Sequence, residues 1–485
     1  MKNLVRYLCM AASAFVLASQ AHAEDAFSEE PFEFEAYNGE TIDTFRGRLQ
    51  VLENRNDPDS RTIEIGYVRF PAVDHASGPP IIYLAGGPGG AGTSAATGRR
   101  FHLFMAMREF GDVIAFDQRG TGLSQRLPEC GSTGVHLPYD ELMTHDRVSS
   151  AFSEAMSVCA ARWQSQGIDI TSYNTQQSAT DIVELLDHLN EEKAALWGIS
   201  YGTHLGFELV RQLGDDRISR IVFTGVEGPN HTVKLPARTD AYFERVEQAI
   251  AQHPDLDGVP DLTDLIHTAN MQLDTDLPEV ELQHPETGET VNLVFSSVEL
   301  RMMATQAIAD PDSIPRLVQV YSLAAQGEYE RIGSFIIGFL RTQTEVEISG
   351  MPEFTDLASG ITADRLALVN EQAETSLFAD YLNFPMPHIL NSVPSVDLGD
   401  DFRADVSSGV PTLLLSGTLD GRTYPESQLE AMEGFSDLSV VTVVNGGHNL
   451  FMATPEISET IADFMRGDFH GDRTITISVE QAFED

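Results

Sequence analysis

Hydrophobic and polar positions change rhythm twice along this chain. From Ile42 to Leu52, and again from Arg61 to Phe70, they alternate well enough to predict an antiparallel pair of strands. Asn56-Asp57-Pro58-Asp59 between them is turn chemistry. Short unbroken apolar runs follow, bounded by Gly and Pro: Ile81 to Leu84, Val113 to Phe116, Ala194 to Trp197 and Ile221 to Phe223. Strands covered on both faces read this way, because neither face needs polar side chains. Ser178 to Asn190 and Thr203 to Leu213 carry apolar residues at helical spacing. Strands alternating with helices predict an α/β class with a mainly parallel sheet.

The rhythm breaks after Glu227. From Pro229 to about Ser408 the pattern predicts amphipathic helices, among them Tyr242 to Ile250, Val298 to Ile308 and Ser313 to Ala325. A hairpin over Val280 to Phe295 turns at Pro285-Glu286-Thr287-Gly288. The parallel-strand signal returns at Pro411 to Leu415 and Leu438 to Val444, and Arg473 to Asp485 either adds a strand or frays. The expected organisation is a core over 24–228 and 409–485, with a helical cap over 229–408 inserted between sheet strands.

Residues 1–23 carry a different signal. Lys2 and Arg6 precede an apolar run from Tyr7 to Ser19, and Ala21-His22-Ala23 is a small-x-small cleavage pattern. This predicts a signal peptide and an exported, periplasmic or secreted protein. The run is short for a membrane span, so no membrane insertion is expected once the leader is cleaved. The formal charge is −44, and loss of Lys2 and Arg6 with the leader makes it −46. Phosphate backbones would be repelled, which argues against nucleic acid as a partner. Cys9 leaves with the leader, and a disulfide between Cys130 and Cys159 is expected in an oxidising compartment. No Cys/His cluster has zinc spacing, so neither a metal nor another cofactor is implied.

Gly198-Ile199-Ser200-Tyr201-Gly202 fits the G-x-S-x-G elbow, in which a sharp strand-to-helix turn lifts a serine hydroxyl into a cleft. A hydroxyl is a weak nucleophile near neutral pH and needs a base held by an acid. Asp420 follows the strand signal at Pro411 to Leu415, and His448 follows that at Leu438 to Val444. Both positions are C-terminal strand ends, where α/β sheets place their sites. Ser200, Asp420 and His448 are therefore the expected triad, with Glu426 a distant substitute for the acid. A tetrahedral intermediate also needs oxyanion donors. The Tyr201 N–H is one; Gly87, or else Gly86, in Ala85-Gly86-Gly87-Pro88-Gly89-Gly90 supplies the other. Pro88 and the lack of a following Gly-Lys-Ser/Thr speak against a nucleotide-phosphate loop.

The chain resembles the proline iminopeptidase and tripeptidyl aminopeptidase family of α/β-hydrolases. Four segments carry the likeness: Gly86 to Gly90, Asp117-Gln118-Arg119-Gly120-Thr121-Gly122-Leu123-Ser124, Trp197 to Thr203, and Gly447-His448. The glycine-proline loop is closer to the tripeptidyl aminopeptidase branch, since Ala85 stands where iminopeptidases carry a His. The resemblance implies a capped α/β-hydrolase fold, the same Ser200-Asp420-His448 triad, and removal of residues from peptide N-termini. Asp117 to Ser124 is expected to brace its loop, with a place for Arg119 in the pocket the lesser alternative. Family members bind the substrate's α-ammonium with carboxylates near the cap, and Glu227 is the candidate here; no second carboxylate is placed. A carboxylesterase acting on small esters would use the same triad. Carboxylates facing the nucleophile favour the peptidase, and a uniformly apolar cap pocket favours the esterase. A non-catalytic binding protein is the third class, and Ser200 would then not react with a fluorophosphonate. The expected partner is a peptide or small-molecule substrate; oligomeric state is not fixed by sequence.

Overall fold

The computed structural model of the protein describes residues 27–73, 76–252 and 261–483. The predicted leader and Cys9 lie outside the described residues. The strands are β1 (Phe27–Glu35), β2 (Thr41–Leu52), β3 (Thr62–Phe70), β4 (Ile81–Leu84), β5 (Val113–Phe116), β6 (Ala194–Ile199), β7 (Ile218–Thr224), β8 (Glu279–Gln283), β9 (Thr290–Val294), β10 (Thr412–Gly417), β11 (Leu438–Val444) and β12 (Arg473–Thr476). Ten form one sheet in the order β1-β2-β3-β5-β4-β6-β7-β10-β11-β12. Strands β1, β2, β3 and β5 pair antiparallel in succession, and every later pair is parallel. The C-terminal stretch therefore contributes a strand, β12.

The unbroken apolar runs have the predicted cause. In β4, Ile81 and Tyr83 face one hydrophobic cluster while Ile82 and Leu84 face another; in β10, Leu413 and Leu415 face the first and Leu414 the second. Helices on both sides cover the sheet, including Thr175–His188 and Tyr201–Leu213, close to their predicted bounds.

Between β7 and β10 the chain is mostly helical: Pro236–Ile250, Leu262–Asp276, Ser297–Ala307, Ile314–Ala325, Tyr329–Phe339, Met351–Ser359 and Ala363–Ala373. The β8–β9 hairpin lies within it, as its turn residues predict. Helix His145–Ser165 comes before this block in sequence but shares a third hydrophobic cluster with it, Val148, Met156 and Trp163 packing with Val346, Phe354 and Leu357. Cys130 and Cys159 form the expected disulfide, their Cα atoms 5.4 Å apart. No helix among the described residues is long and apolar enough to cross a membrane.

Candidate active site

Strand β6 ends at Ile199, and Ser200 turns the chain into helix Tyr201–Leu213 with φ 55° and ψ −131°. A non-glycine residue at positive φ is costly and persists only where its surroundings hold it. Here the Ser200 N–H donates to the Thr224 carbonyl (3.1 Å), while its carbonyl accepts from the Thr203 N–H and hydroxyl. Gly202 lets the helix start against β4, since a Cβ there would lie 2.0 Å from the Leu84 carbonyl oxygen. The elbow thus depends on a strand neighbour as well as on its own five residues.

Asp420 and His448 are brought together from the loops after β10 and β11. His448 Nδ1 donates to Asp420 Oδ2 (3.0 Å). Asp420 also accepts from the backbone N–H groups of Arg422 and Thr423 (both 2.8 Å), the Thr423 hydroxyl (2.8 Å) and Gln428 Nε2 (3.2 Å). Those donors orient the carboxylate before His448 is considered. The His448 ring bonds to Asp420 and lies 3.3 Å from the Thr423 hydroxyl; among the described residues no hydrogen bond joins it to Ser200. Such bonds are commonly long until substrate is bound. The ring nevertheless lies beside the elbow: a Cβ on Gly225, next to Thr224, would fall 2.7 Å from His448 Cε1. Gly225 (φ 57°) is required on both counts. Glu426 is elsewhere, half-exposed and paired with Arg245 (2.9 Å).

The β7–β10 block supports the histidine loop. Asp310 accepts from the Asn449 N–H (2.9 Å) and side-chain amide (2.6 Å), and the Ala309 carbonyl accepts from the His448 N–H (2.9 Å). Sequence reasoning missed Thr423 and Gln428, three and eight residues beyond Asp420, and Asp310, which acts on the site only through tertiary placement.

Gly87 (φ 134°) and Pro88 line a cavity of about 90 Å³ together with Ser200. Among the described residues the N–H groups of Gly87 and Tyr201 donate to no protein acceptor, as two oxyanion donors must. Gly86 sits behind the nucleophile, a Cβ there falling 3.1 Å from Ser200 Cβ. The Asp117 segment braces this region. The Asp117 carboxylate accepts from the Thr93 N–H and hydroxyl and from the Leu123 N–H. Arg119, fully buried, pairs with Asp181 away from the cavity.

The far wall of the cavity is polar, with Glu227, Lys234, Asp356, Asn383 and Arg422. Glu227, the sequence candidate, is buried and pairs with Lys234 Nζ (2.7 Å). Burial alone would raise its carboxyl, but Lys234, with His204 and Arg422, outweighs that and holds it below the usual range. Asp356, which sequence reasoning did not place, comes from helix Met351–Ser359. Pro352 on the same helix packs against Gly89, a Cβ there meeting it at 2.6 Å. Asp356 lines the cavity, and burial pushes its carboxyl up to about 8, with the negative charge of Glu227 adding to the push. Two carboxylates with opposed tendencies therefore share one small cavity with the elbow serine.

A ten-stranded, mainly parallel sheet with an elbow serine and a hydrogen-bonded Asp–His pair at its strand ends defines an α/β-hydrolase. The chain belongs to the alpha/beta hydrolase fold family, whose model matches residues 79–455. It is 26% identical over 189 residues to the serine protease Hip1 of Mycobacterium tuberculosis; the match covers 38% of this chain and 36% of that protein. The chain thus aligns with little more than a third of that relative's length. Among solved structures it is similar to Rv0554 from Mycobacterium tuberculosis (15% identity, TM-score 0.40, covering 86% of this chain and 99% of that one). A thermophilic esterase from Thermogutta terrifontis is comparable (14% identity, TM-score 0.37, covering 87% and 98%).

Proposed function

We propose that this protein is an exported serine aminopeptidase that releases N-terminal residues or short peptides through an acyl-enzyme on Ser200. His448, oriented by Asp420, takes the Ser200 proton and passes it to the leaving amine, then activates the water that frees the acyl group. The N–H groups of Gly87 and Tyr201 receive the oxyanion. The observation that carries the reading is the polar cavity at the nucleophile, in which Glu227 and Asp356 face the space a substrate's end would fill. An apolar acyl pocket would suit an ester; buried carboxylates suit a free ammonium. The disulfide and the leader-like N-terminus support export.

The test is cleavage of aminoacyl and tripeptidyl anilides, each with free and acetylated N-termini, beside a short-chain ester, with Ser200→Ala as the blank. Turnover confined to free-amine anilides is expected, and the product length gives the register. Indifference to acetylation, or turnover of the ester alone, would leave a carboxylesterase.

The carboxylate at Asp356 adds a pH signature. Below about pH 8 it is mainly protonated, so binding a cationic amine must first expel that proton. Affinity should therefore rise with pH up to about 8, by as much as roughly tenfold per unit, and fall once the substrate amine itself deprotonates. KM for free-amine anilides is expected to drop between pH 6 and 8 in the native protein and to stay flat in Asp356→Asn. A slope that survives the substitution would remove Asp356 from amine binding.

A further inference from the structure

We infer that His145, Asp380 and His388 form a binding site for a divalent transition-metal ion, with zinc the best fit. His145 opens helix His145–Ser165, while Asp380 and His388 lie in the segment leading toward β10. Their ligand atoms converge. The two Nε2 atoms are 3.2 Å apart, Asp380 Oδ1 is 3.2 Å from His145 Nε2, and Asp380 Oδ2 is 3.1 Å from His388 Nε2. Asp380 is buried, the His388 side chain is nearly so and that of His145 is partly exposed. None of the three lines the Ser200 cavity.

With Asp380 ionised, protons alone cannot satisfy this triangle. If both imidazoles carry hydrogen on Nε2, two donors face each other across 3.2 Å. If only one does, the other presents a lone pair to a carboxylate oxygen at just over 3 Å, acceptor against acceptor. Either arrangement leaves one repulsive contact in a partly desolvated place. A cation among the three converts every contact into a favourable one, with both rings neutral and their hydrogens on Nδ1. Tetrahedral zinc, with bonds of about 2.0–2.2 Å, holds neighbouring donors roughly 3.3–3.5 Å apart, close to the spacings present. Two imidazoles and a carboxylate suit zinc and its neighbours rather than magnesium or calcium, which prefer oxygen.

Access is also built in. An open groove runs to His388 along helix His145–Ser165, lined by Ser149, Ser153 and Glu154. Ser149 is one turn from His145, and its buried hydroxyl has no partner among the described residues. A metal-bound water as fourth ligand would supply one. The ion would tie helix His145–Ser165 to residues 380–388, which give Leu382, Asn383, Phe384 and Met386 to the wall of the Ser200 cavity. Its role is structural: it fixes that wall. Sequence spacing gave no hint of it, because His145 stands 235 residues from Asp380.

The full chain, purified oxidised and stripped with a chelator, should take up one zinc ion that survives dialysis, counted by elemental analysis. Cobalt substitution should give the intense visible bands of a four-coordinate site, a readout independent of activity and of any variant. His145→Ala, at a partly exposed helix start, and Asp380→Asn should each weaken zinc by more than the roughly 10–100-fold that loss of an outer-shell partner costs. Near-ultraviolet circular dichroism checks that the variants remain folded. Failure of the native chain to retain zinc, a six-coordinate cobalt spectrum, or unchanged zinc affinity in His145→Ala would each overturn the assignment.

Discussion

Asp420→Asn is expected to lower kcat by about 10⁴-fold while leaving the protein folded, a magnitude known from replacing the acid of a serine protease triad. The amide keeps an oxygen for the Arg422 and Thr423 N–H groups, which hold Oδ1 at 2.8 Å. Its NH₂ then occupies the Oδ2 position, facing His448 Nδ1, the Thr423 hydroxyl and the Gln428 amide. Facing a donor, His448 must turn its Nδ1 lone pair toward residue 420 and carry its hydrogen on Nε2. The nitrogen meant to accept the Ser200 proton is then already protonated. The remaining cost is the meeting of two NH₂ groups at Gln428, on the order of 1–3 kcal/mol of stability. Steady-state turnover of a free-amine anilide measures the first effect and thermal unfolding the second. A loss below about tenfold in kcat would show that Asp420 does not set the His448 tautomer. Glu426→Gln is the matched control, because its partner Arg245 lies outside the site and turnover should hold.

What could be read in advance from sequence follows from how each part is held. The strands β4, β6 and β10 are buried on both faces and β7 nearly so, while β11 buries one face and half-covers the other, so their apolar runs are local facts of the chain. Ser200, Asp420, His448 and Gly87 each sit within a few residues of such a strand end, which made their positions legible along with them. Strand β1 gave no such signal. Its sequence, Phe27 to Glu35, interleaves phenylalanine with glutamate and contains Pro31. As an outer strand paired only with β2, it can tolerate a proline that a central strand could not. Helix His145–Ser165 also escaped notice, because much of its buried face is small: Ala151, Ala155, Cys159 and Ala160.

The missing parts of the site share a different cause. Asp356, Lys234 and Asp310 belong to the β7–β10 block, where helical periodicity predicts which face is buried but not what that face meets. Asp356 reaches the cavity because its helix packs on the glycine loop, and no residue near Asp356 in sequence encodes that loop. Even Glu227, singled out as a candidate from sequence, acquires Lys234 as a partner that spacing alone did not suggest. The proposed amine site is therefore held by contacts between distant segments, while the proposed triad is held by strand ends.

The same distinction makes Asp181 the position where a substitution outside the cavity should cost most. Asp181 is fully buried and holds Arg119 in a two-pronged pair, at 2.9 Å and 2.8 Å, while also accepting from Arg55 at 2.7 Å. Arg119 fills its other valences with the carbonyls of Glu53 and Ser172. It thereby joins the segment after β5 to the end of β2 and to the turn before helix Thr175–His188. Asp181→Ala strands a buried guanidinium with neutral acceptors alone, and about 3–5 kcal/mol of stability is expected to be lost. At roughly 2 °C per kcal/mol for a large domain, the melting midpoint should fall by about 6–10 °C. Arg55 is partly exposed and keeps Glu184, so it can re-solvate and will not share the penalty in full. The double variant Arg119→Met/Asp181→Leu removes both charges and should recover most of the loss, since an apolar pair of similar volume is often as stable as a buried ion pair. Thermal and denaturant unfolding of the three proteins measures this directly. A single variant that loses less than about 1 kcal/mol, or a double variant less stable than the single, would mean that the charge pair is not what holds these three segments together.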